Sequence, residues 1–234
     1  MADSLDTSQD LKYHLALSLK GQTCIIVGFG EVGQRKLDGL LKTSVAKIKI
    51  FDPSLKDRSK EEILDQRVEL LARKPDPKDL SQAILVFACT NDNAANERLA
   101  LFCQEKHILC NCTSAPELGQ IAIPAVIRQG GLTLTISTEG ASPALSRKWR
   151  HELEEWVCQH TLMVDLMAKL RPLILSLQRD SKENSHLFRN LVASPLEDLL
   201  RSKQFAEAKE LLEALLPKEL HSQIIEMFAK YEQP

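Results

Sequence analysis

Several things are missing from this sequence, and each absence excludes something. It has no apolar run near the ~18 residues that a membrane-spanning helix needs, so no membrane span is expected. It has no excess of either charge: 30 Lys and Arg face 32 Asp and Glu, a formal net charge of -2. That balance removes the electrostatic footprint expected of a nucleic-acid or anionic-membrane binder, so neither partner is expected. Met1 to Gln9 is polar and acidic, unlike a secretory signal. The cysteines also lack a metal-binding pattern. Cys110-x-Cys112 has a one-residue gap where a zinc knuckle has two, and no second pair matches it. Most of the six, which also include Cys24, Cys89, Cys103 and Cys158, lie within apolar strand or helix patterns. Buried free thiols, no metal site and a cytoplasmic location are therefore expected.

The remainder is ordinary globular composition, 44% hydrophobic and 26% charged over 234 residues, enough for one large domain or two small ones.

What is present is organised around Thr23 to Lys36, TCIIVGFGEVGQRK. Cys24 to Val27 is an apolar strand-like run that stops at Gly28. Gly28, Gly30 and Gly33 then keep the spacing G-x-G-x-x-G, and helix-favouring residues follow. In a strand-turn-helix of this kind the first glycine permits the tight turn and the second lets a pyrophosphate approach the backbone. The third lets helix and strand pack closely, while the helix N-terminus offers N–H groups to the phosphates. Lys47 to Phe51 reads as the next strand, and Asp52 at its end lies about 20 residues past the glycines, where the ribose hydroxyls of a dinucleotide are bound. A carboxylate there disfavours a 2′-phosphate and points to NAD. Asp52-Pro53 also fits a plain turn.

Further strands are expected at Val68 to Leu71, Ala83 to Ala88 and Ile108 to Asn111. Helices are expected at Glu31 to Leu41, Arg58 to Leu64 and Asn93 to Glu105. Strands alternating with helices indicate a doubly wound parallel sheet. Ligands bind such sheets beyond the carboxyl ends of the strands. That edge takes Gly28 to Gly33, Asp52 to Ser54, Thr90-Asn91 and Asn111 to Ser114.

After Ala115 the pattern changes. Ile121 to Ile127 and Leu132 to Ile136 are extended segments joined through Gly130-Gly131, which suits a hairpin. Ser137, Thr138, Gly140 and Ser142 then form a hydroxyl-rich stretch, with Ser142-Pro143 placed as N-cap and first residue of a helix. The rest reads as helical. Leu153, Trp156, Val157, Met163, Leu166, Met167 and Leu170 form a stripe read as helix packing, dimer contacts included. Pro172 should kink or end that helix. Arg179 to Asn184 reads as a polar connection, Ser194-Pro195-x-Glu197 as a capping box, and Pro217 as a further break.

Three stretches carry a family resemblance: LSLKGQTCIIVGFGEVGQRK, ACTNDNAAN, and NCTSAPELGQIAIPAVIRQGGLTLTISTEGASPALSRKWRHELE. They resemble the precorrin-2 dehydrogenases, which occur as modules of siroheme synthases and as stand-alone proteins. The likeness is close over Leu15 to Val157 and looser beyond. It implies NAD-dependent oxidation of precorrin-2 to sirohydrochlorin in a homodimer. It also implies a Rossmann-type parallel-sheet domain (1–114), a small β-hairpin dimerisation and active-site region (115–150) and an all-helical C-terminal domain (151–234). By position it assigns Glu31, Val32, Pro53 and Ser54 to NAD, beside Gly28, Gly30, Gly33, Asp52, Thr90 and Asn91. Ser137 and Thr138 match the hydroxyl pair at the family's active-site cleft.

The substrate bears eight carboxylates, so Asn111, Arg128, Ser142, Arg147 and Lys148, with Arg150, are candidate substrate contacts. Taken singly, the helix cations fit a solvated face equally well. Family members that also insert iron carry an aspartate in N-x-x-D-x-P, and here Ser114 takes its place as the candidate catalytic residue. A serine supplies neither a carboxylate base nor a hard metal ligand. Phe29 and Glu139 are smaller departures from the family pattern. A dehydrogenase without metal insertion is the expectation. A bifunctional enzyme using Asp92 or Glu117, and a non-catalytic dinucleotide-binding regulator, are the alternatives.

Overall fold

A computed structural model describes residues 12–57 and 65–229. The helix expected at Arg58 to Leu64 and the polar start Met1 to Gln9 lie outside the described residues. The chain forms two compact units, 1–123 and 124–234.

The first unit is built on five parallel strands: β1 (Thr23–Val27), β2 (Lys47–Phe51), β3 (Val68–Leu71), β4 (Leu85–Ala88) and β5 (Leu109–Cys112). Their spatial order is β3-β2-β1-β4-β5. The central strands carry apolar residues on both faces because both faces are covered. Cys24 and Ile26 of β1 pack with Phe87 of β4 and with Leu37 and Leu40 of helix α1 (Glu31–Leu41). Ile25 and Val27 face the opposite way, onto Ala100 and Cys103 of α3 (Asn93–Glu105) and Leu80 of the short α2 (Pro77–Leu80). The strand order reverses between β1 and β4, which opens the crevice such sheets use for ligands. The expected first and third helices and β3 have the observed bounds, while β4 and β5 begin two residues and one residue later than the apolar runs suggest.

The second unit opens with an antiparallel hairpin, β6 (Ala125–Gln129) and β7 (Leu132–Ile136), and continues in helices α4 (Pro143–Ser176), α5 (Ser181–Ala193), α6 (Leu196–Arg201), α7 (Phe205–Leu215) and α8 (His221–Phe228). Gly130 in the turn has φ +51, as a two-residue hairpin turn requires, and the Gly131 N–H donates to Asp165 of α4 at 3.2 Å. Met163, Leu166, Leu170 and Ile174 of α4 close the core with Leu191, Leu200, Leu212 and Ile224.

Several elements differ from the sequence expectation. β6 starts at Ala125, not Ile121, since Pro124 lacks an N–H for the ladder and the Ile121 N–H is given to Cys110. Pro172 does not end the helix; α4 runs through it to Ser176, and the buried Leu170 and Ile174 on either side hold the last turn to the core. Arg179 to Asn184 is not a connection throughout, because Asp180 caps α5 by accepting from Lys182 N and Glu183 N at 2.7 and 2.8 Å. Ser194 forms no capping box; its hydroxyl donates to Leu191 O and accepts from Leu196 N. Trp156 lies outside the packed stripe, 47% exposed and stacked on His160 at 3.9 Å between ring centroids.

The glycines of the first turn differ sharply in what surrounds them. A Cβ on Gly33 would lie 2.2 Å from the Gly28 carbonyl oxygen, whereas one on Gly39, two turns along the same helix, meets nothing within 4 Å. Gly33→Ala is expected to destabilise the protein by about 1–3 kcal/mol through backbone displacement. Gly39→Ala should stabilise it by roughly 0.5–1 kcal/mol through lower unfolded-state entropy and better helix propensity. Urea unfolding of the two variants checks both signs.

Candidate active site

At the carboxyl edge of the first unit, Gly28 adopts φ +96, and a Cβ there would sit 2.6 Å from the Cys89 carbonyl oxygen. Its N–H donates to Phe51 O and the Cys89 N–H to Val27 O, at 2.9 Å each, so the ends of β1, β2 and β4 are tied together. Gly30 is the N-cap of α1, and no side chain caps that helix. A Cβ on Gly30 would meet nothing within 4 Å. The first-turn N–H groups at Glu31, Val32 and Gly33 therefore face an unfilled approach, which suits a pyrophosphate. Glu31 itself is exposed, and Val32 packs against the β-sheet core.

Asp52 follows β2. Its Oδ2 accepts from Phe29 N at 2.7 Å and its Oδ1 from Ser54 N at 2.8 Å. The carboxylate thereby joins the glycine turn to Pro53-Ser54, which begin a 3-10 turn (Pro53–Asp57). Each carboxylate oxygen accepts more than one hydrogen bond, so ribose hydroxyls fit alongside these partners. The open N-terminus, the glycine without a neighbour and the carboxylate together fit a dinucleotide.

Thr90 and Ser114, which follow the adjacent strands β4 and β5, are joined by a residue the sequence did not flag. Asn96 of α3 is fully buried. Its Oδ1 accepts from Thr90 N at 3.0 Å and from Thr90 Oγ1 at 2.7 Å, and its Nδ2 donates to Thr90 O at 2.9 Å and Ser114 Oγ at 3.3 Å. Thr90 is thus turned inward, while Asn91 and Ser114 are exposed. The available signal was an asparagine four residues past the Asp92 N-cap, on the face of α3 that also carries the buried Ala100 and Cys103. Asn111 donates through Nδ2 to Ile121 O at 3.1 Å, and its Oδ1 is buried without a hydrogen-bond partner.

Behind the edge, burial pushes the Cys89 thiol up to about 12, and it donates toward Gly28 O at 3.5 Å, which makes it a packing group and not a nucleophile. Lys36 extends over the Phe87 ring, 5.4 Å from its centroid, and burial lowers the pKa of its amine.

In the second unit, the hydroxyl stretch is a closed hydrogen-bonded turn. Glu139 and Gly140 have φ +47 and +87, and Ala141 N donates back to Thr138 O at 2.8 Å. Thr138 Oγ1 accepts from Ser142 N at 3.1 Å and lies within 3.3 Å of both Ser142 O and Ser146 Oγ. Ser142 caps α4, accepting from Leu145 N at 3.2 Å. Ser137 donates to Glu139 Oε1 at 3.0 Å and accepts from Glu139 N. Ser146, buried and one helical turn past Ser142, was not singled out in the sequence. Of the nearby cations, Lys148 and Arg150 make exposed i,i+4 pairs with Glu152 and Glu154 at 3.5 and 3.8 Å, which contribute little. Arg147 has no carboxylate partner among the described residues. Arg128 Nε donates to Thr133 Oγ1 at 3.3 Å across the hairpin.

The first unit is thus a dinucleotide-binding α/β unit, and comparison with known proteins agrees. Residues 15–125 match the family described as "Putative NAD(P)-binding". Siroheme synthase of Azotobacter vinelandii is 28% identical over 200 residues, 85% of this chain and 43% of that protein. Siroheme synthase of Pseudomonas fluorescens strain SBW25 is 26% identical over 196 residues, 83% of this chain and 42% of that protein. The chain spans less than half the length of these curated relatives. Among solved structures, SirC, a precorrin-2 dehydrogenase, superposes with a TM-score of 0.68 and 26% identity, covering 84% of this chain and 98% of that one. These likenesses support the precorrin-2 dehydrogenase resemblance carried by the sequence.

The Thr138 geometry assigns that hydroxyl a structural task whatever else it does. Thr138→Val should lower stability by about 1–2 kcal/mol, the range for a lost capping contact, while Thr138→Ser should retain it. Thermal unfolding of both variants tests this without an activity assay.

Proposed function

We propose that the protein oxidises precorrin-2 to sirohydrochlorin with NAD as hydride acceptor. The observation carrying this reading is the likeness to a precorrin-2 dehydrogenase over 98% of that chain, spanning both units of this one. Asp52 supports NAD over NADP, since its anchored carboxylate would face a 2′-phosphate with like charge. Gly28, Gly30 and Gly33 would admit the pyrophosphate to the helix N–H groups of Glu31 and Val32. Pro53, Ser54, Thr90 and Asn91 would border the ribose and nicotinamide positions. When bound, the nicotinamide supplies the hydride-accepting carbon.

The residues present then serve mainly to position and to bind charge. Asn111, whose Nδ2 is given to Ile121 O and whose Oδ1 is buried, would serve the substrate by holding the end of β5 in place. Arg128, Arg147 and Lys148 would pair with the substrate's carboxylates, Arg147 most readily because no carboxylate competes for it among the described residues. Ser137, Thr138 and Ser142 would line the reacting ring, through the groups their own turn does not use. Ser114 gives no carboxylate for metal delivery, which supports a dehydrogenase without chelatase activity. A homodimer through residues 115–150, beside a dinucleotide-binding domain over 1–114 and a helical domain over 151–234, is supported by the two-strand hairpin, whose outer edges carry unused backbone groups. Six unpaired thiols support a cytoplasmic location. The balanced charge, and the lack of any helix long and apolar enough to cross a membrane among the described residues, give no support to nucleic-acid or membrane partners.

Anaerobic incubation with precorrin-2 and NAD should yield the sirohydrochlorin absorbance, with NADP at least about tenfold less efficient, equivalent to ~1.4 kcal/mol. Ferrous or cobaltous ion added to the same cuvette should enter the product no faster than in the enzyme-free control. Asp52→Ala should raise the KM for NAD, and Arg147→Met that for precorrin-2. Absence of oxidation with retained NAD binding would leave a non-catalytic dinucleotide-binding protein as the function.

A further inference from the structure

We propose that Asn96 is a positioning residue that fixes Ser114 as an outward hydrogen-bond donor to a carboxylate of the tetrapyrrole substrate; this rests on the function proposed above. A buried primary amide has two acceptor positions and two donors to satisfy, and leaving them unmade is costly. The backbone of Thr90 admits only one orientation. Its N–H must meet Oδ1 and its carbonyl must meet Nδ2, at 3.0 and 2.9 Å. The Thr90 hydroxyl takes the second Oδ1 position at 2.7 Å. One amide proton is left, and the group it reaches is Ser114 Oγ at 3.3 Å.

Ser114 Oγ is therefore an acceptor on its inner side, and its own proton is turned away from Asn96. Among the described residues its other polar neighbour is the Cys112 sulfur at 3.7 Å, at best a weak acceptor. Ser114 is exposed at the carboxyl edge of β5, beside the crevice where the strand order reverses. A hydroxyl polarised in this way presents a proton to an anion. It does not accept a proton, so Ser114 is a binding group for charge and not the base of the reaction. The carboxylates of the substrate are the anions available to it in the proposed reaction, and a hydroxyl–carboxylate bond is of the stronger, charge-assisted kind.

The same geometry explains why Asn96 is an amide. Aspartate at this position would accept from Thr90 N–H and hydroxyl but would face the Thr90 carbonyl with like polarity, and it would draw the Ser114 proton inward. Leucine would leave the Thr90 N–H without its partner.

The test uses the full chain and three readouts. Ser114→Ala, at an exposed position, should raise the KM for precorrin-2 roughly tenfold with kcat and the KM for NAD within about twofold, the size of one charge-assisted hydrogen bond. Asn96→Asp should raise the same KM in the Ser114 background and add nothing in the Ser114→Ala background. Additive effects, or a Ser114→Ala change confined to kcat, would overturn the proposal. Should Asn96→Asp fail to fold, the side-chain amide protons of Asn96 in folded wild type and Ser114→Ala, read by NMR, provide the second measurement. One of the pair should shift upfield on losing Ser114, and no shift would overturn the positioning role. Binding of a stable octacarboxylate porphyrin, followed by tryptophan fluorescence, separates this proposal from the wider reading. Ser114-dependent porphyrin binding without precorrin-2 oxidation would retain the donor and reject the dehydrogenase. Oxidation with porphyrin binding indifferent to Ser114→Ala would do the reverse.

Discussion

The close approach of α1 to the end of β1 is the constraint from which the first unit's architecture follows. Gly33 lies so near the Gly28 carbonyl that no side chain fits, and Gly28 lies as tightly against the backbone of Cys89 and Thr90. Two glycines therefore set the distance between a helix and two strands. That distance lets Leu37 and Leu40 reach the apolar row formed by Cys24, Ile26 and Phe87. It also leaves the N-terminus of α1 uncapped over an unfilled space at Gly30. The packing and the ligand edge share one cause. Any side chain added at Gly28 or Gly33 disturbs both together.

The loops beyond the strands are held by a second device, the repeated use of a side-chain carbonyl or carboxylate to bind backbone N–H groups. Asp52 does this for Phe29 and Ser54, Asn96 for Thr90, Asp92 for Ala95, and Gln120 for Cys110. Loops that end strands have backbone donors without ladder partners, and buried or half-buried donors must be satisfied. Satisfying them with short, rigid side chains also fixes loop geometry before any ligand arrives, which lowers the ordering cost of binding. The closed turn around Thr138 in the second unit uses the same economy with hydroxyls.

This explains what could and could not be read from the chain. Strands such as Cys24 to Val27 and the run ending at Ala88 were legible because burial on both faces writes a continuous apolar run. The glycine turn was legible because its spacing encodes close approach. Pro172 does not end α4 because the core contacts of Leu170 and Ile174, which tertiary packing supplies, outweigh a proline's local cost. Asp180 and Ser194 were misread because capping depends on backbone angles that residue type alone does not fix. Asn96 and Ser146 were invisible for a deeper reason. Each sits where an apolar residue would serve the helix equally well, and its task is defined by partners six to eighteen residues away. Polar groups that complete a network leave no periodic mark.

That network bears on how one scaffold serves different chemistry. Asn96 offers the residue after β5 a single amide proton. A hydroxyl at that position accepts it and turns its own proton outward. A carboxylate there would accept the same proton and present its remaining lone pairs outward, as an acceptor and potential base or metal ligand. The amide satisfies both residues equally, with no change to Thr90, to α3 or to the sheet. A change at position 114 therefore reverses the polarity offered to a ligand without asking the fold to rearrange. Function on this scaffold is decided by the site and not by the fold. The difference between a hydroxyl and a carboxylate at this position thus lies in one side chain and the amide that faces it.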